Sequence, residues 1–191
     1  MIALQALAIV REYGVTAQVS GVLSHLLVRE LGPVTTGMMI AAQSGGSVAA
    51  EVSIMKIKRQ IDALETFGVD PYNFVVVPRM IAITVVTPVM EIFSILFGVA
   101  GGYLVAVYLG KISPGAFIHN LNEFTTTTDI LIGVIKALIF GMIIGGVSTY
   151  SGFTSRMGIK EVGMAANNAV VRATIFFILL NYIITSFVYN A

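Results

Sequence analysis

Residues 80–110 read MIAITVVTPVMEIFSILFGVAGGYLVAVYLG, and Glu91 is the only charged residue among them. A transmembrane helix needs about 20 predominantly apolar residues to cross a hydrocarbon layer about 30 Å thick. The stretch is long enough for one such helix and too short for two. It therefore predicts a single long span that begins near Pro78, and this span points to an all-α integral membrane protein.

The composition of the whole chain also indicates a membrane protein. Apolar residues make up 57% of the 191 residues and charged residues only 11%, whereas soluble domains contain about 25% charged residues. The net charge of +1 gives no sign of a nucleic-acid partner, and the length suits a single domain over residues 1–191. Cysteine is absent and histidine occurs twice, so we expect no disulfide, no metal site and no cofactor.

Three more runs of low charge complete a polytopic helix bundle. Residues 31–50 carry no charge, residues 130–155 carry one, and residues 173–191 carry none. The first of these runs extends back toward residue 16 and is interrupted by Arg29 and Glu30. The four predicted spans cover residues 16–50, 78–110, 129–150 and 172–190.

The first ten residues, MIALQALAIV, are apolar but would form only half a span. A helix of that length rises about 15 Å, which is half of the hydrocarbon thickness. We interpret residues 1–10 as the remnant of an upstream span, which would give five spans in the intact protein. A short helix that lies at the membrane interface is the alternative.

The connections between the spans differ in positive charge. Residues 51–79 contain four Lys or Arg side chains and residues 151–172 contain three, whereas residues 111–129 contain one. Because Lys and Arg concentrate in cytoplasmic loops, the first two connections are expected to face inward and the third outward. This orientation predicts a multi-pass protein of the cytoplasmic (inner) membrane with an extracytoplasmic C-terminus.

Small residues recur every four positions in two of the predicted spans. Small residues at this spacing allow helix backbones to approach closely inside a membrane. The pattern is compatible with packing inside one bundle, with a homodimer seam and with a movable helix interface. The residues in question are Gly37, Ala41, Gly45, Ala49, Gly133, Gly141 and Gly145.

Several ionisable residues fall inside the predicted spans. Arg29 and Glu30 precede Pro33, which is expected to kink the helix. Charged side chains inside a membrane usually face a bundle interior or a watery cavity. The pair can line a polar path or lie at a helix end with its charges at the interface, and Lys136 has the same two interpretations. Glu91 has no basic residue within one helical turn, so it needs a partner on another helix or a cavity.

The first inward connection has the pattern of an amphipathic helix. Its apolar residues share one helical stripe, namely Ile54, Ile57, Ile61 and Leu64. The stripe predicts a helix within residues 51–72, and Gly68 can end this helix in a left-handed conformation. Such a helix can lie on the membrane or dock into a groove of a partner, and its mixed charges favour a protein partner.

No motif of a soluble enzyme occurs in the chain. A P-loop, a GxSxG sequence, an HExxH sequence and a dinucleotide-binding fingerprint are all absent from the sequence. We therefore predict no catalytic residues and no enzyme activity for this chain. If ATP drives the protein, another chain must hydrolyse it.

One long block of sequence resembles a known family. Residues 28–71 read VRELGPVTTGMMIAAQSGGSVAAEVSIMKIKRQIDALETFGVDP. This block closely resembles the signature region of MlaE-type permeases, the membrane subunits of ABC transporters that work with MCE-domain proteins on phospholipids or other lipids. The matching anchors are RELGP at residues 29–33, Ala50-Glu51, Met55-Lys56, Val69-Asp70-Pro71, Pro78-Arg79, Gly101-Gly102 and the span around Lys136.

The resemblance implies a homodimeric permease with two kinds of partner. A cytoplasmic ABC ATPase subunit would lie on one side and an MCE-domain lipid-binding protein on the other. The helix after the signature span would be the coupling helix, which rests on the ATPase. The residues that match its ATPase-contacting positions are Glu51, Met55, Lys56, Arg59, Gln60 and Leu64.

The resemblance also implies a lipid-binding cavity between two protomers, with polar positions at Arg29, Glu30 and Lys136. Glu91 joins this lipid pathway as an intramembrane carboxylate. An acidic position in the last span of the family falls on Asn181 in this chain. The departure removes a charge, which puts an ion-pair or proton-carrying role at that position in doubt. Hydrogen bonding to a lipid head group survives the change.

These features favour a permease subunit that moves phospholipid or a related lipid between membranes of the cell envelope, driven by a separate ATPase subunit. An ion-coupled secondary transporter or channel that uses Glu91 and Glu30 is the alternative, and it predicts activity without an ATPase. Secondary transporters often contain internal repeats, and none is visible in the sequence. A membrane scaffold without transport is the third possibility.

Overall fold

The computed structural model describes residues 27–190, which are helical along most of their length. Seven α-helices and four π-helical turns run through these residues, and no strand occurs among them. The helices are α1 (Gly32–Ile40), α2 (Gly46–Ile57), α3 (Gln60–Thr66), α4 (Val77–Leu104), α5 (Pro114–Phe124), α6 (Thr127–Phe153) and α7 (Ile159–Asn190). The π-helical turns are Leu27–Leu31, Ala41–Gly45, Tyr72–Val76 and Val105–Leu109. The all-α prediction is confirmed for this part of the chain.

Three helical segments of the described residues are long and apolar enough to cross a membrane. They are Tyr72–Leu109, Thr127–Phe153 and Ile159–Phe187. They correspond to the spans predicted at residues 78–110, 129–150 and 172–190. The last segment begins earlier than predicted, because α7 includes Lys160, Glu161 and Arg172, which the charge pattern assigns to a loop.

The predicted first span is helical where the structure describes it. Residues 27–57 run through a π-helical turn, α1, a second π-helical turn and α2. This stretch is not among the three apolar segments, because its many Gly, Ser and Thr residues lower its hydropathy. The Leu27–Leu31 turn ends just before Pro33, which lies in the first turn of α1 where proline is tolerated. The predicted remnant at residues 1–10 lies outside the described residues.

The predicted amphipathic helix of the inward connection is divided in the structure. Helix α2 ends at Ile57, and Arg59 adopts a left-handed conformation with a φ of 55° before α3 begins. Ile61 is buried, whereas Ile54 is 40% exposed, so the apolar stripe does not continue across the break. At the other end of α3, Gly68 has a φ of +74°, and this left-handed residue ends the helix as expected.

The chain forms two compact units. The described residues of the first unit are 27–33 and 90–135, and those of the second unit are 34–89 and 136–190. The core of the second unit consists of Ile40, Ala41, Ile83, Phe140, Ile144, Ala173 and Phe177. The rings of Phe140 and Phe177 pack with their centroids 5.3 Å apart.

Glycines of α6 contact the backbone of α4 within the second unit. A Cβ atom at Gly141 would lie 2.9 Å from the Cα atom of Thr84, and one at Gly145 would lie 3.1 Å from the Cα atom of Met80. At such distances a larger residue would force the neighbouring backbone to move, so small residues at these positions permit the close approach of the two helices. Three further residues of the pattern contact neighbours of their own unit, namely Gly37 with Phe140, Gly45 with Ser148, and Gly133 with Val28.

Helix α5 belongs to the first unit and begins with a capped turn. Ser113 Oγ accepts a hydrogen bond from the backbone N–H of Ala116 at 3.3 Å, and Pro114 occupies the first helical position. The ring of Tyr103 meets Phe117 edge-on with centroids 5.4 Å apart. This contact holds α5 against the end of α4.

Large apolar side chains cover the outside of the candidate spans. Phe97 is 75% exposed, Leu131 is 56% exposed and Phe187 is 76% exposed. Soluble proteins rarely expose many large apolar side chains together, whereas a bilayer solvates them. The surface of these helices therefore fits a lipid environment.

Candidate functional site

Arg29 forms an ion pair with Asp129 in the first unit. Its Nε atom donates to Asp129 Oδ1 at 2.7 Å, and the two side chains are 20% and 7% exposed. Asp129 Oδ2 also accepts a hydrogen bond from the backbone N–H of Thr126 at 3.0 Å, at the start of α6 where negative charge is favoured. The pair ties the Leu27–Leu31 turn to α6. Sequence reasoning found Arg29 but missed Asp129, whose only signal is its position at the start of a predicted span.

Glu91 is completely buried within α4. Gly32 lies directly against it, because a Cβ atom at this position would collide with the Glu91 carboxylate and with the carbonyl oxygen of Leu27. A glycine allows this close approach of backbone and side chain. Since Gly32 follows Arg29 and Glu30 within one helical turn, the first unit brings three of the predicted pathway residues into one region.

Lys136 is buried in the second unit, with only 2% of the residue exposed. Its Nζ atom donates to Thr185 Oγ1 of α7 at 2.8 Å. Thr185 follows Asn181 by four residues, so the two residues share one face of α7. The lysine head group therefore lies among the helices of the second unit. Sequence reasoning missed Thr185, since a threonine in an apolar span has no distinctive signal.

Lys56 binds the end of α6. Its Nζ atom donates to the carbonyl oxygens of Phe153 at 2.7 Å and of Ser155 at 2.8 Å. A cation at the C-terminus of a helix satisfies free carbonyl groups and opposes the negative end of the helix dipole. Ser53 and Ser155 add a hydrogen bond of 2.8 Å between their Oγ atoms. Helix α2 is therefore attached to the end of α6 through two polar side chains.

Glu51 and Met55 contact Arg79, at the start of α4. Arg79 Nε lies 3.3 Å from Glu51 Oε2, and Arg79 Nη2 lies 3.6 Å from the Met55 sulfur. The Glu51 side chain is 61% exposed, so one side of its carboxylate stays accessible. These two predicted ATPase contacts are thus in contact with α4 in the isolated chain.

The remaining predicted ATPase contacts lie at the break between α2 and α3. Arg59 and Gln60 are exposed, and Leu64 is half-buried. Phe67 directly follows α3 and is a large apolar side chain that is 82% exposed. Sequence reasoning missed Phe67 because it does not belong to the apolar stripe of the connection.

The described residues offer no cluster for a metal ion. No group of three or more His, Asp or Glu side chains within residues 27–190 has the arrangement of a metal site.

A family model described as Permease MlaE matches residues 1–187 of the chain. The match includes the block at residues 28–71 and the later anchors of the resemblance, as far as the span around Lys136. It includes both the first unit and nearly all of the second, so all of the site residues described above lie within it.

The chain is also similar to curated proteins over most of its length. A probable ABC transporter permease protein of Rickettsia typhi is 36% identical over 190 residues, which cover 100% of this chain and 73% of that protein. The intermembrane phospholipid transport system permease protein MlaE of Haemophilus influenzae is 29% identical, with 100% of this chain and 74% of that protein covered. The chloroplastic protein TRIGALACTOSYLDIACYLGLYCEROL 1 of Arabidopsis thaliana is 30% identical, and the alignment covers 95% of this chain and 53% of that protein.

Proposed function

We propose a lipid-transport function for this chain because it belongs to the MlaE permease family. In this proposal the chain is the membrane subunit of an ABC transporter that moves phospholipid or a related lipid between membranes of the cell envelope. The observation that carries the proposal is the family match over residues 1–187. The name of the Haemophilus influenzae relative, which is a permease of intermembrane phospholipid transport, supports phospholipid as the substrate class.

The proposed membrane arrangement has four spans in this chain. Residues 27–57 form the described part of the first span, and the three apolar segments form the others. The charge pattern of the connections supports an inward position for residues 51–79 and 151–172. If the N-terminal end of the first span lies outside the cell and the four spans cross the inner membrane in alternating directions, the C-terminus is extracytoplasmic.

Two sets of polar residues are proposed to contact the lipid head group. Arg29, Glu30 and Glu91 form the set in the first unit, and Lys136 and Asn181 form the set in the second. Arginine and lysine bind phosphate through charged hydrogen bonds, whereas the amide of Asn181 can bond to head-group oxygens without a charge. The burial of Lys136 and Glu91 supports the proposal, because intramembrane charges usually mark a substrate path.

The segment from α2 to α3 is proposed to be the coupling element that rests on an ATPase. Arg59 and Gln60 are exposed where a partner can reach them. Lys56 is attached to the carbonyl groups at the end of α6, so a push on α3 can pass through α2 to α6. Coupling would thus be mechanical, with ATP hydrolysed in the partner chain and no reaction catalysed here.

Three associations complete the proposal. A cytoplasmic ABC ATPase would drive the movement, and an MCE-domain lipid-binding protein would exchange lipid on the outer side. A second copy of this chain would complete the transport cavity. Membership of the MlaE permease family, together with the name of the Rickettsia typhi relative as a probable ABC transporter permease, supports the ATPase partner over the ion-coupled mechanism through Glu91 and Glu30, which needs no ATPase.

A reconstituted complex of this chain with its ATPase tests the proposal. ATP-dependent transfer of a labelled phospholipid between vesicles is measured together with ATP hydrolysis. The double substitution Glu30→Ala with Lys136→Ala is expected to reduce lipid transfer at least about tenfold, because the phosphate loses the charged hydrogen bond of Lys136 and the polar part of the head group loses the carboxylate of Glu30. The exposed Lys160→Ala is the matched control. Unchanged transfer in the double variant would remove the proposed polar path, and transfer without ATP would support the ion-coupled alternative.

A further inference from the structure

Two cavities lie between α6 and α7 in the second unit. The first has a volume of about 370 Å³ and is lined mainly by polar side chains, among them Ser151, Arg156, Glu161, Asn168 and Arg172. The second has a volume of about 490 Å³ and is lined by apolar residues, among them Met142, Gly146, Val147, Phe176, Leu180 and Ile183. Neither cavity includes any of the pathway residues proposed above.

The positions of the lining residues along α6 and α7 place the two cavities along one groove between these helices, which we call the seam. On α6 the lining positions 143 and 147 of the apolar cavity continue at position 151 of the polar one. On α7 the polar positions 164, 168 and 172 continue at the apolar positions 176 and 180. Residues four apart lie on the same face of a helix. The cavities are therefore arranged end to end, with the polar end at the connection between the helices.

The polar cavity is lined by arginine and serine side chains that can bind a phosphate. Within the described residues, the side chains of Arg156 and Arg172 form no ion pair and no hydrogen bond. Ser151 is 5% exposed, and its Oγ atom has no hydrogen-bond partner there. Guanidinium groups bind phosphate oxygens in pairs of charged hydrogen bonds. One carboxylate, that of Glu161, also lines the cavity, so the two arginines leave a net positive charge.

The apolar cavity has free space beside Gly146 of α6. A Cβ atom at Gly146 would meet no atom of residues 27–190 within 4 Å, so the groove has free space beside α6 in this part of the chain. Phe176 and Ile183 on α7 are 54% and 47% exposed and border the same space. An extended hydrocarbon chain matches the shape and polarity of such a groove, because apolar surface and dispersion contacts drive its burial.

We propose that the seam between α6 and α7 binds one phospholipid, with the phosphate at Arg156 and Arg172 and one acyl chain along Gly146. Head and tail are recognised by the two ends of one continuous surface, which neither a free anion nor a hydrocarbon would fill alone. The assignment of this lipid to the inner leaflet rests on the orientation proposed above for residues 151–172. The binding itself requires neither transport nor ATP.

The test measures binding of dioleoylphosphatidylglycerol to the purified full-length chain in detergent by native mass spectrometry. The double substitution Arg156→Gln with Arg172→Gln is expected to weaken binding at least about tenfold, because two charged partners of the phosphate are lost. Lys160→Gln removes a cation of the same connection that does not line the cavity, and it should leave binding unchanged. Equal binding by the double variant and the unchanged protein would overturn the proposal.

A second pair of variants tests the hydrocarbon end. Gly146→Leu places a side chain in the groove, whereas Gly163→Leu adds the same side chain at an exposed site. At both positions an added Cβ meets no atom of the described residues within 4 Å. Gly146→Leu is expected to weaken lipid binding about fivefold or more, and Gly163→Leu should not. If inorganic phosphate binds as tightly as the lipid and Gly146→Leu has no effect, the site is a free-anion site and the lipid assignment is wrong. Because no ATP is present, a failed transport assay would not affect this result.

Discussion

Arg29 and Asp129 are 100 residues apart in the sequence, yet their side chains form an ion pair of 2.7 Å. Both side chains are largely withdrawn from solvent, at 20% and 7% exposure. Removal of one partner from such a pair leaves a charge without compensation, which costs more than the pair itself contributes. The pair therefore holds the RELGP block against α6 in the first unit.

The substitution Asp129→Asn is expected to lower the free energy of unfolding by about 1–3 kcal/mol, because Arg29 loses its charged partner in a partly buried place. Thermal unfolding of the purified protein in detergent measures the change. Glu51→Gln is the matched control, since it breaks the ion pair with Arg79 at a carboxylate that is 61% exposed, where the loss should stay below about 1 kcal/mol. If Asp129→Asn and Glu51→Gln lowered the free energy of unfolding equally, the burial of the Arg29–Asp129 pair would not make it more important for stability than the exposed Arg79–Glu51 pair.

Gly141→Ala and Gly146→Ala should have opposite effects although both lie in α6. A Cβ at Gly141 would be 2.9 Å from the backbone of Thr84, whereas a Cβ at Gly146 meets none of the described residues within 4 Å. We expect Gly141→Ala to destabilise the protein by about 1–3 kcal/mol through overpacking. Gly146→Ala should be neutral or stabilise the protein by up to about 1 kcal/mol, because alanine favours helix. Thermal unfolding compares the two, and a stable Gly141→Ala protein would contradict the close helix contact.

Lys56→Met is expected to weaken the attachment of α2 to the end of α6. The substitution removes two charged hydrogen bonds to carbonyl groups, which should cost about 1–3 kcal/mol of stability. It should also lower the stimulation of ATP hydrolysis by lipid in the reconstituted complex. Lys58→Met changes an exposed neighbour and is the control for both measurements. A Lys56→Met protein with normal stability and normal stimulation would contradict the proposed path through α2.

Lys136→Met separates the role of this residue in transport from its role in folding. Replacement of a buried charge by an apolar side chain of similar length is often neutral or stabilising, so the melting temperature should be unchanged or higher. Lipid transfer should nevertheless fall at least about tenfold, because the charged contact with the head group is lost. A parallel loss of stability and transfer would instead assign Lys136 to the structure of the bundle.

The spans could be predicted because the relevant signal is local. Runs without charged residues located the three apolar segments, and the break at Gly68 followed from the tolerance of glycine for positive φ. The start of α7 was placed too late, since charged residues in a helix that extends beyond a membrane look like a loop. A hydropathy pattern describes the part of a helix that lipid surrounds, and it does not mark where the helix begins.

The contacts of the site residues could not be predicted, because they depend on tertiary packing. Nothing near Arg29 in the sequence indicates Asp129, and nothing near Lys136 indicates Thr185. The amphipathic helix was predicted, but its division at Arg59 was not, and the reason is different. Arg59 adopts a φ of 55°, which is rare for residues other than glycine, so no propensity argument would place a helix break there.

The proposed mechanism requires the segment from α2 to α3 to lie on the cytoplasmic side of the membrane, because a coupling element must face the ATPase. The chain contains no cysteine, so single-cysteine variants have no background. Lys58→Cys and Lys111→Cys are treated with a membrane-impermeant maleimide in right-side-out membrane vesicles, before and after permeabilisation. We predict that position 111 reacts in intact vesicles and that position 58 reacts only after permeabilisation. Reaction of position 58 in intact vesicles would place the segment on the outer side and contradict the proposed mechanism.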